Sequence, residues 1–180
     1  MKPGKGRKTD TMIIECIGRT LARELAGLRR QLLAYQAEED IWRLDGTIAN
    51  SAGTLTLHAA GNLQHFIGRE LGGTGYERDR DAEFARRGVP RNTLLAEIDA
   101  AEEAVRAGLL ALTDADLPRR YPLDLAGRRL TIGEFLVHLS AHLAYHVGQV
   151  DYHRRLLGSP DAAALDMVAL KALGLPVTCG

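Results

Sequence analysis

The stretch that decides the fold is residues 131–157, which read TIGEFLVHLSAHLAYHVGQVDYHRRLL. It opens with Thr131 and Glu134, the spacing of a capping box, in which Thr covers a free backbone N–H and Glu reaches back to the N-cap. Leucine and valine then recur at three- and four-residue steps, and Gly158 follows as a C-terminal glycine. The pattern therefore predicts one long amphipathic helix that runs to Leu157.

Three further apolar patterns with helical spacing precede this stretch, over residues 11–36, 50–71 and 93–112. Asn50 or Ser51 is a suitable N-cap for the second helix, and glycines follow its last turn. Leu and Ala together number 53, whereas Val and Ile number 15, so the composition favours helices over strands. Four long helices with these connections predict an all-α, four-helix bundle.

The two ends of the chain are predicted to differ from the bundle. Residues 1–9 are expected to form a flexible tail, and residues 10–180 one helical-bundle domain. Ser159-Pro160-Asp161 has the pattern of a new helix start, with proline at the first helical position. A short extra C-terminal helix is therefore expected over about 161–173.

Two connections carry patterns of their own. Residues 121–130 can form a small hairpin before the fourth helix, turning near Ala126-Gly127. Residues 72–92 form a long polar loop, with a helical turn expected around 81–87. Loops of this length inside a compact domain often serve a functional site.

The composition excludes several classes of function. Lys and Arg number 23, as do Asp and Glu, so the chain lacks the basic excess that non-specific nucleic-acid binding needs. No apolar run approaches the ~18 residues of a transmembrane helix, and the basic N-terminus lacks the apolar core of an export signal. Cys16 and Cys179 are too few for a disulfide framework, so a reducing, cytoplasmic setting is expected. Cys16 falls within the first apolar pattern and is predicted to be a core residue.

Histidine is the residue type that points to chemistry. Rotation by 100° per residue places five polar side chains of the fourth helix within a sector of about 80°: His138, His142, His146, Gln149 and His153. Histidines at i and i+4 lie one above the other and can bind one metal ion, which favours the pair at 142 and 146. The other two histidines are expected at the surface or behind the ligands. The alternative interpretation is that the whole stripe is a solvated face.

A third ligand must come from another helix. The second helix offers His58 and His65 on one face, together with Asn62, and the spacing alone leaves both histidines open. No Glu-x-x-His and no His-Glu-x-x-His occurs in the chain, which excludes the di-iron carboxylate and metalloprotease patterns. A mononuclear, all-histidine site for zinc or nickel remains, with a position left for water or substrate.

Three sequence elements resemble the DinB-like (YfiT-like) superfamily. They are SAGTLTLHAAGN at 51–62, RDRDAEF at 78–84 and HLAYHVGQ at 142–149, and the resemblance spans about residues 10–157. It implies a four-helix bundle with a metal site. One ligand comes from the second helix and two come from the last helix of the bundle. The resemblance assigns these roles to three residues, with His58 preferred over His65: His58, His142 and His146.

The resemblance also implies a class of reaction. DinB-like proteins include thiol-dependent transferases and isomerases, so a metal-bound, low-molecular-weight thiol that attacks an electrophilic small molecule is the leading hypothesis. The cation lowers the pKa of the thiol. Gln149 and Asn62 are expected to hydrogen-bond the ligands from outside. Arg78 and Arg80 are candidates for binding a carboxylate of the thiol cofactor, although an Arg-Asp alternation is also typical of a solvated ion-pair cluster.

Two other functions stay open. A hydrolase would use a metal-bound water and a nearby general base, and it ranks second because no Asp or Glu lies on either histidine face. A bundle without enzymatic activity, with or without a metal, is the third possibility. The expected partner is a small-molecule substrate, with no nucleic acid and no membrane, and a homodimer is plausible through exposed helix faces.

Overall fold

Helices surround one apolar core in the computed structural model, which describes residues 10–124 and 127–158. In chain order the helices are α1 (Met12–Leu33), α2 (Ala52–Leu63), α3 (Glu70–Gly72), α4 (Arg80–Ala85), α5 (Arg91–Leu110) and α6 (Ile132–Leu156). Helix α1 packs against α5 and α6, and α2 packs against the same two helices. The order around the bundle is therefore α1, α5, α2, α6, and the predicted all-α, four-helix bundle is confirmed.

Helices α2 and α6 begin at the N-cap residues predicted for them. The Ser51 hydroxyl accepts a hydrogen bond from the backbone N–H of Thr54 at 3.2 Å, so Ser51 rather than Asn50 caps α2. At α6, Thr131 accepts from the Glu134 N–H at 3.2 Å, and the Glu134 carboxylate accepts the Thr131 N–H at 2.7 Å. The capping box predicted from two residues is therefore confirmed.

In helix α1 the buried leucines are those of the predicted apolar stripe. Leu21, Leu25 and Leu28 have no exposed surface and face α5 and α6. Cys16 is exposed, so its prediction as a core residue was wrong. Its neighbour Ile17 is on the buried stripe, and a single residue step rotates the side chain by about 100°, which carries Cys16 off that stripe.

Helix α2 is the most enclosed element that positions the site. All its residues from Ala52 to Leu63 are buried, because α4, α5 and α6 pack against it. The helix continues as a π-helical segment, Gln64–Arg69, and α3 then ends at Gly73, whose φ of +66° is the left-handed conformation that glycine adopts without strain. The predicted glycine stop is confirmed.

The connection before α6 forms less regular structure than predicted. Arg120 and Thr131 form an isolated antiparallel bridge, and Tyr121 N–H donates to the Leu130 carbonyl at 2.9 Å. No β-strand occurs in the described residues, and what they contain of the predicted small hairpin is isolated bridge pairing. Tyr121 is buried here, and its hydroxyl donates a hydrogen bond to the Phe66 carbonyl at 2.7 Å, which holds this segment against the core.

Two sequence predictions lie outside the described residues, namely the flexible tail at 1–9 and the C-terminal helix at 161–173. The tip of the predicted hairpin, at 125–126, lies outside them as well. Within the described ranges, none of the helices combines the length and apolar character needed to cross a bilayer.

Candidate metal centre

Three histidines from two helices converge in the seam between α2 and α6. One nitrogen from each of His58, His142 and His146 lies within 4.8 Å of the others. The Nε2 atoms of His142 and His146 are 3.1 Å apart. The ring of His58 lies 5.3 Å and 5.2 Å from these two rings, measured between centroids. We call these three residues the histidine triad.

Antiparallel packing of α2 and α6 brings the triad together. The Phe66 and Phe135 rings meet edge to face at 5.1 Å, which sets the late part of α2 and its extension against the start of α6. His58, one and a half turns into α2, then meets the middle of α6, where His142 and His146 lie one turn apart. The i, i+4 spacing therefore supplies two nitrogens, and the helix crossing supplies the third.

The electrostatics of the two α6 members of the triad favour neutral imidazoles. Burial lowers the pKa of His142 to about 4, and the neighbouring His146 and His58 add to this shift. Burial also lowers the pKa of His146, although its hydrogen bond to Gln149 acts in the opposite direction. Both rings are consequently uncharged at neutral pH, and an uncharged imidazole has the lone pair that a metal ion requires.

A buried carboxylate from the long loop orients His58. Glu83, on α4, is 6% exposed, and its Oε2 accepts the His58 Nδ1–H at 3.0 Å. Arg78 clamps the same carboxylate with Nε on Oε1 at 2.7 Å and Nη2 on Oε2 at 2.8 Å. Burial alone would raise the pKa of Glu83, but the hydrogen bonds from Arg78 and His58 outweigh it and lower the pKa. In the neutral ring that a metal ion requires, the ionised carboxylate selects the tautomer in which the His58 Nε2 is unprotonated.

Gln149 acts on His146 in the same way. Its Oε1 lies 2.8 Å from the His146 Nδ1, a distance at which the ring N–H donates to the amide oxygen. His146 Nε2, which lies beside His142, is then left with its lone pair. Two of the three rings therefore have a partner on the nitrogen that faces away from the triad. The predicted position of Gln149, behind a triad histidine, agrees with this geometry.

The sequence reasoning missed Glu83. The absence of Asp and Glu from the histidine faces of the two helices gave no indication of a carboxylate from a third segment. The structure brings Glu83 in from the 72–92 loop, whose helical turn forms α4 (Arg80–Ala85) with the Asp79 side chain as its N-cap. Gly61 makes the approach possible, because a Cβ at that position would collide with the Glu83 carboxylate. The signals available were the length of the loop and the RDRDAEF element itself.

The remaining predicted site residues occupy different positions around the triad. Asn62 is buried one turn beyond His58, and its Oδ1 has no hydrogen-bond partner among the described residues. Arg78 reaches the site through Glu83 and lies against the Phe66 ring at 5.5 Å. Arg80 is exposed and covers the outer face of Phe84 at 4.9 Å. Phe84 in turn lies 4.9 Å from the His58 ring, so Arg80 is one ring removed from the triad.

The other histidines do not join the triad. His65 is on the same side of the helix as His58 but roughly 10 Å farther along the axis, too far for a shared ion. Its Nδ1 is buried without a partner in the described chain, and burial lowers its pKa. His138 is exposed, as predicted, and stacks on His142 with 6.0 Å between centroids. His153 was predicted near the surface or behind the ligands, and this was wrong: it is buried, bonded to the Tyr35 hydroxyl at 2.6 Å and to the Arg43 carbonyl at 2.9 Å.

The donor set fits a divalent metal ion. Zinc is commonly bound by neutral imidazole nitrogens, and catalytic sites use three protein ligands with a further position for water or substrate. The triad supplies three imidazole nitrogens within 4.8 Å of one another, and two of the rings are oriented by a hydrogen bond from their other nitrogen. Imidazole suits nickel as well, so the donors alone do not choose between the two ions.

Comparisons with known proteins agree with this architecture. Residues 15–169 match the family model described as "Protein of unknown function (DUF1572)". The crystal structure of a DinB-like protein from Bacillus cereus ATCC 10987, at 2.01 Å resolution, superposes with a TM-score of 0.62 and 19% sequence identity, covering 86% of this chain and 99% of that one. At this identity the likeness concerns the fold alone. No curated protein sequence matches the chain.

Proposed function

The chain belongs to the DUF1572 family, which is DinB-like, and we propose that its histidine triad binds a divalent metal ion, zinc or nickel. We also propose that the protein transfers a low-molecular-weight thiol to an electrophilic small molecule. The observation that carries the metal site is the convergence of three imidazole nitrogens within 4.8 Å. The thiol chemistry rests on the resemblance of the sequence to DinB-like proteins.

A bound divalent cation supplies positive charge, which favours the thiolate form of a thiol beside it at neutral pH. The residues of the chain prepare the site for this chemistry. Glu83 and Gln149 hold the His58 and His146 rings with their Nε2 lone pairs toward the centre of the triad. Phe84 covers the His58 ring and limits the access of water from that side.

Thiol transfer fits the surroundings of the triad better than hydrolysis does. Hydrolysis needs a free general base near the metal. The carboxylate that contacts the triad is that of Glu83, which binds the His58 Nδ1. Both of its oxygens already accept hydrogen bonds, Oε1 from Arg78 and Oε2 from Arg78 and His58. A thiolate nucleophile, by contrast, needs no protein base once it has lost its proton.

Arg78 and Arg80 are the proposed contacts for an anionic group of the thiol cofactor. Arg78 already neutralises Glu83, so it would contribute the N–H groups that do not bind that carboxylate. Arg80 lies over Phe84 at the outer edge of the site and is exposed. The two positions favour a carboxylate that lies beside α4 while the sulfur reaches the triad.

Metal content tests the first part of the proposal. Untagged protein, purified and then incubated with zinc or nickel, is measured by elemental mass spectrometry beside His58→Ala and His142→Ala. His138→Ala is the matched control, because His138 is an exposed histidine one turn away on the same helix. About one ion per chain in the wild type and in the control, lost in both triad variants, is expected. No ion in the wild type would refute the metal site.

Turnover tests the second part. Metal-loaded protein is assayed for consumption of glutathione, mycothiol or bacillithiol with the electrophile 1-chloro-2,4-dinitrobenzene, and separately for hydrolysis of p-nitrophenyl acetate. We expect thiol transfer that requires the metal and is abolished by His142→Ala. Ester hydrolysis without thiol transfer would instead support the hydrolase.

A further inference from the structure

An apolar groove continues the seam between α2 and α6 past the triad, toward the C-terminal end of α6. Ile48 and Ala49, before α2, and Leu55, in its first turns, form one wall. Tyr145 and Tyr152, on α6, are part of the other wall. The groove encloses about 700 Å³, which is within the usual range of small-molecule sites.

The groove and the triad are adjacent parts of one seam. Gln149 lines the groove and also holds the Nδ1 of His146 at 2.8 Å. The Tyr145 ring, at the near end of the groove, lies 5.5 Å from the His146 ring. On the other wall, Leu55 precedes His58 by three residues, or roughly 4.5 Å along the helix axis. The groove therefore begins at the outer side of the His146 ring, within about one helical turn of the triad.

The lining of the groove indicates what would fill it. Tyr145, Tyr152 and Leu156 expose 64%, 67% and 61% of their surface, although their apolar parts would be more stable covered. Among the described residues, the lining includes no Asp, Glu, Lys or Arg, and the side chains with an amide or imidazole group are few: Asn50, Gln149 and His153. His153 already uses both ring nitrogens in hydrogen bonds. Such a lining suits an uncharged, apolar body and offers little to a charged one.

We propose that this groove binds the apolar part of the substrate, an alkyl chain or aromatic ring, while the polar reactive end of the same molecule lies at the triad. This inference rests on the proposed metal site and adds the substrate class: an amphipathic electrophile with an uncharged, apolar tail. Gln149 and Tyr145 lie at the junction between the two parts.

Gly148 offers a way to fill the groove without disturbing the bundle. It is an exposed helical residue that lines the groove, and a Cβ built there meets no atom within 4 Å. Gly148→Leu therefore places a side chain in the groove while it improves the helix propensity. Ala141→Leu is the matched control, because Ala141 is exposed on the same helix and does not line the groove.

The experiment compares two zinc-binding probes that share a head group, acetohydroxamate and octanohydroxamate, by calorimetry on the zinc-loaded protein. Each fully buried methylene tightens binding roughly fourfold. We expect octanohydroxamate to bind the wild type and Ala141→Leu at least about tenfold more tightly than acetohydroxamate, as burial of two methylenes requires. In Gly148→Leu this ratio is expected to fall below about threefold. An equal ratio in Gly148→Leu and the wild type would overturn the proposal.

Failure of the metal site is distinguishable from failure of the groove. If zinc or acetohydroxamate does not bind the wild type, the metal proposal fails, and the groove is then tested in metal-free protein with the uncharged dye N-phenyl-1-naphthylamine. Dye binding that Gly148→Leu reduces and Ala141→Leu preserves would support an apolar ligand site, and unchanged binding would overturn it. A wild-type dimer that Gly148→Leu dissociates, measured by analytical ultracentrifugation, would show that a second copy covers the groove, and this would also overturn the proposal.

Discussion

Replacement of Glu83 by glutamine is the most informative perturbation of the site. Glu83→Gln keeps the shape of the side chain and removes its charge. In the native protein the carboxylate accepts the His58 Nδ1–H at 3.0 Å and two N–H groups of Arg78 at 2.7 and 2.8 Å. The variant therefore changes both the orientation of a triad ring and the balance of a buried ion pair.

The structure gives a magnitude for each effect. Loss of a carboxylate that orients a metal-binding histidine typically weakens metal binding about 10- to 100-fold, or roughly 1.4–2.7 kcal/mol. Separately, the Arg78 and Glu83 side chains are only 10% and 6% exposed, so the variant leaves a poorly solvated cation without its counter-charge. Breaking such a pair costs about 3 kcal/mol of folding free energy, the lower end of the usual range, since glutamine still accepts a hydrogen bond.

A double variant separates the two effects. Arg78→Gln combined with Glu83→Gln removes both charges, and removal of both partners costs far less stability than removal of one. Zinc affinity is measured by competition with a chromophoric chelator, and stability by urea unfolding of the metal-free protein. We expect Glu83→Gln to lose both stability and zinc affinity. The double variant should recover most of the stability while its zinc affinity stays low.

One result would refute this reasoning. If Glu83→Gln lost stability but bound zinc within about twofold of the wild type, the carboxylate would serve only to anchor α4 and the loop before it. The proposed orientation of His58 by Glu83 would then be wrong, although the triad itself could still bind metal.

Four further predictions each concern a single position. Gly61→Ala places a Cβ against the Glu83 carboxylate and should displace it, so zinc affinity is expected to fall about tenfold in the chelator assay, and an unchanged affinity would contradict the contact. Gly108→Ala should destabilise the protein by about 1–3 kcal/mol in urea unfolding, because the added methyl collides with the main chain of the neighbouring helix. Gly148→Ala, in open space on a helix, should instead stabilise it by about 0.5–1 kcal/mol, and equal effects of these two variants would count against the packing described. Finally, the pKa of His142 is lowered from 6.5 to about 4. Between these pH values the unfolded chain therefore binds more protons than the folded one, and the metal-free protein should lose stability as the pH falls through this window. His142→Gln removes that contribution, and urea midpoints at pH 7.5 and 5 that drop equally in both proteins would contradict it.

The long helices could be predicted because their signals are local. The capping box at Thr131 and Glu134 lies within four residues. The helical spacing of the apolar residues in α6 can be recognised without knowing which helices pack against it. The pairing of His142 with His146 is likewise one helical turn, which a sequence shows directly. The third member, His58, came from the resemblance to DinB-like proteins rather than from spacing.

The features that escaped prediction depend on contacts between distant segments. Glu83 reaches His58 only because the loop folds over α2 at Gly61, a close approach that no periodicity encodes. His153 shares the polar face of α6 with the triad, yet it is buried by Tyr35 and by the Arg43 carbonyl. The neighbours supplied by other elements decided whether each of these polar side chains is exposed, buried or part of a site.

The measurement that tests the central claim most directly is an anomalous difference map at the zinc absorption edge, from crystals of the full chain grown with zinc chloride. The account predicts one strong peak about 2.0–2.1 Å from the Nε2 atoms of His58, His142 and His146. A peak on other side chains, with none between these three rings, would contradict it.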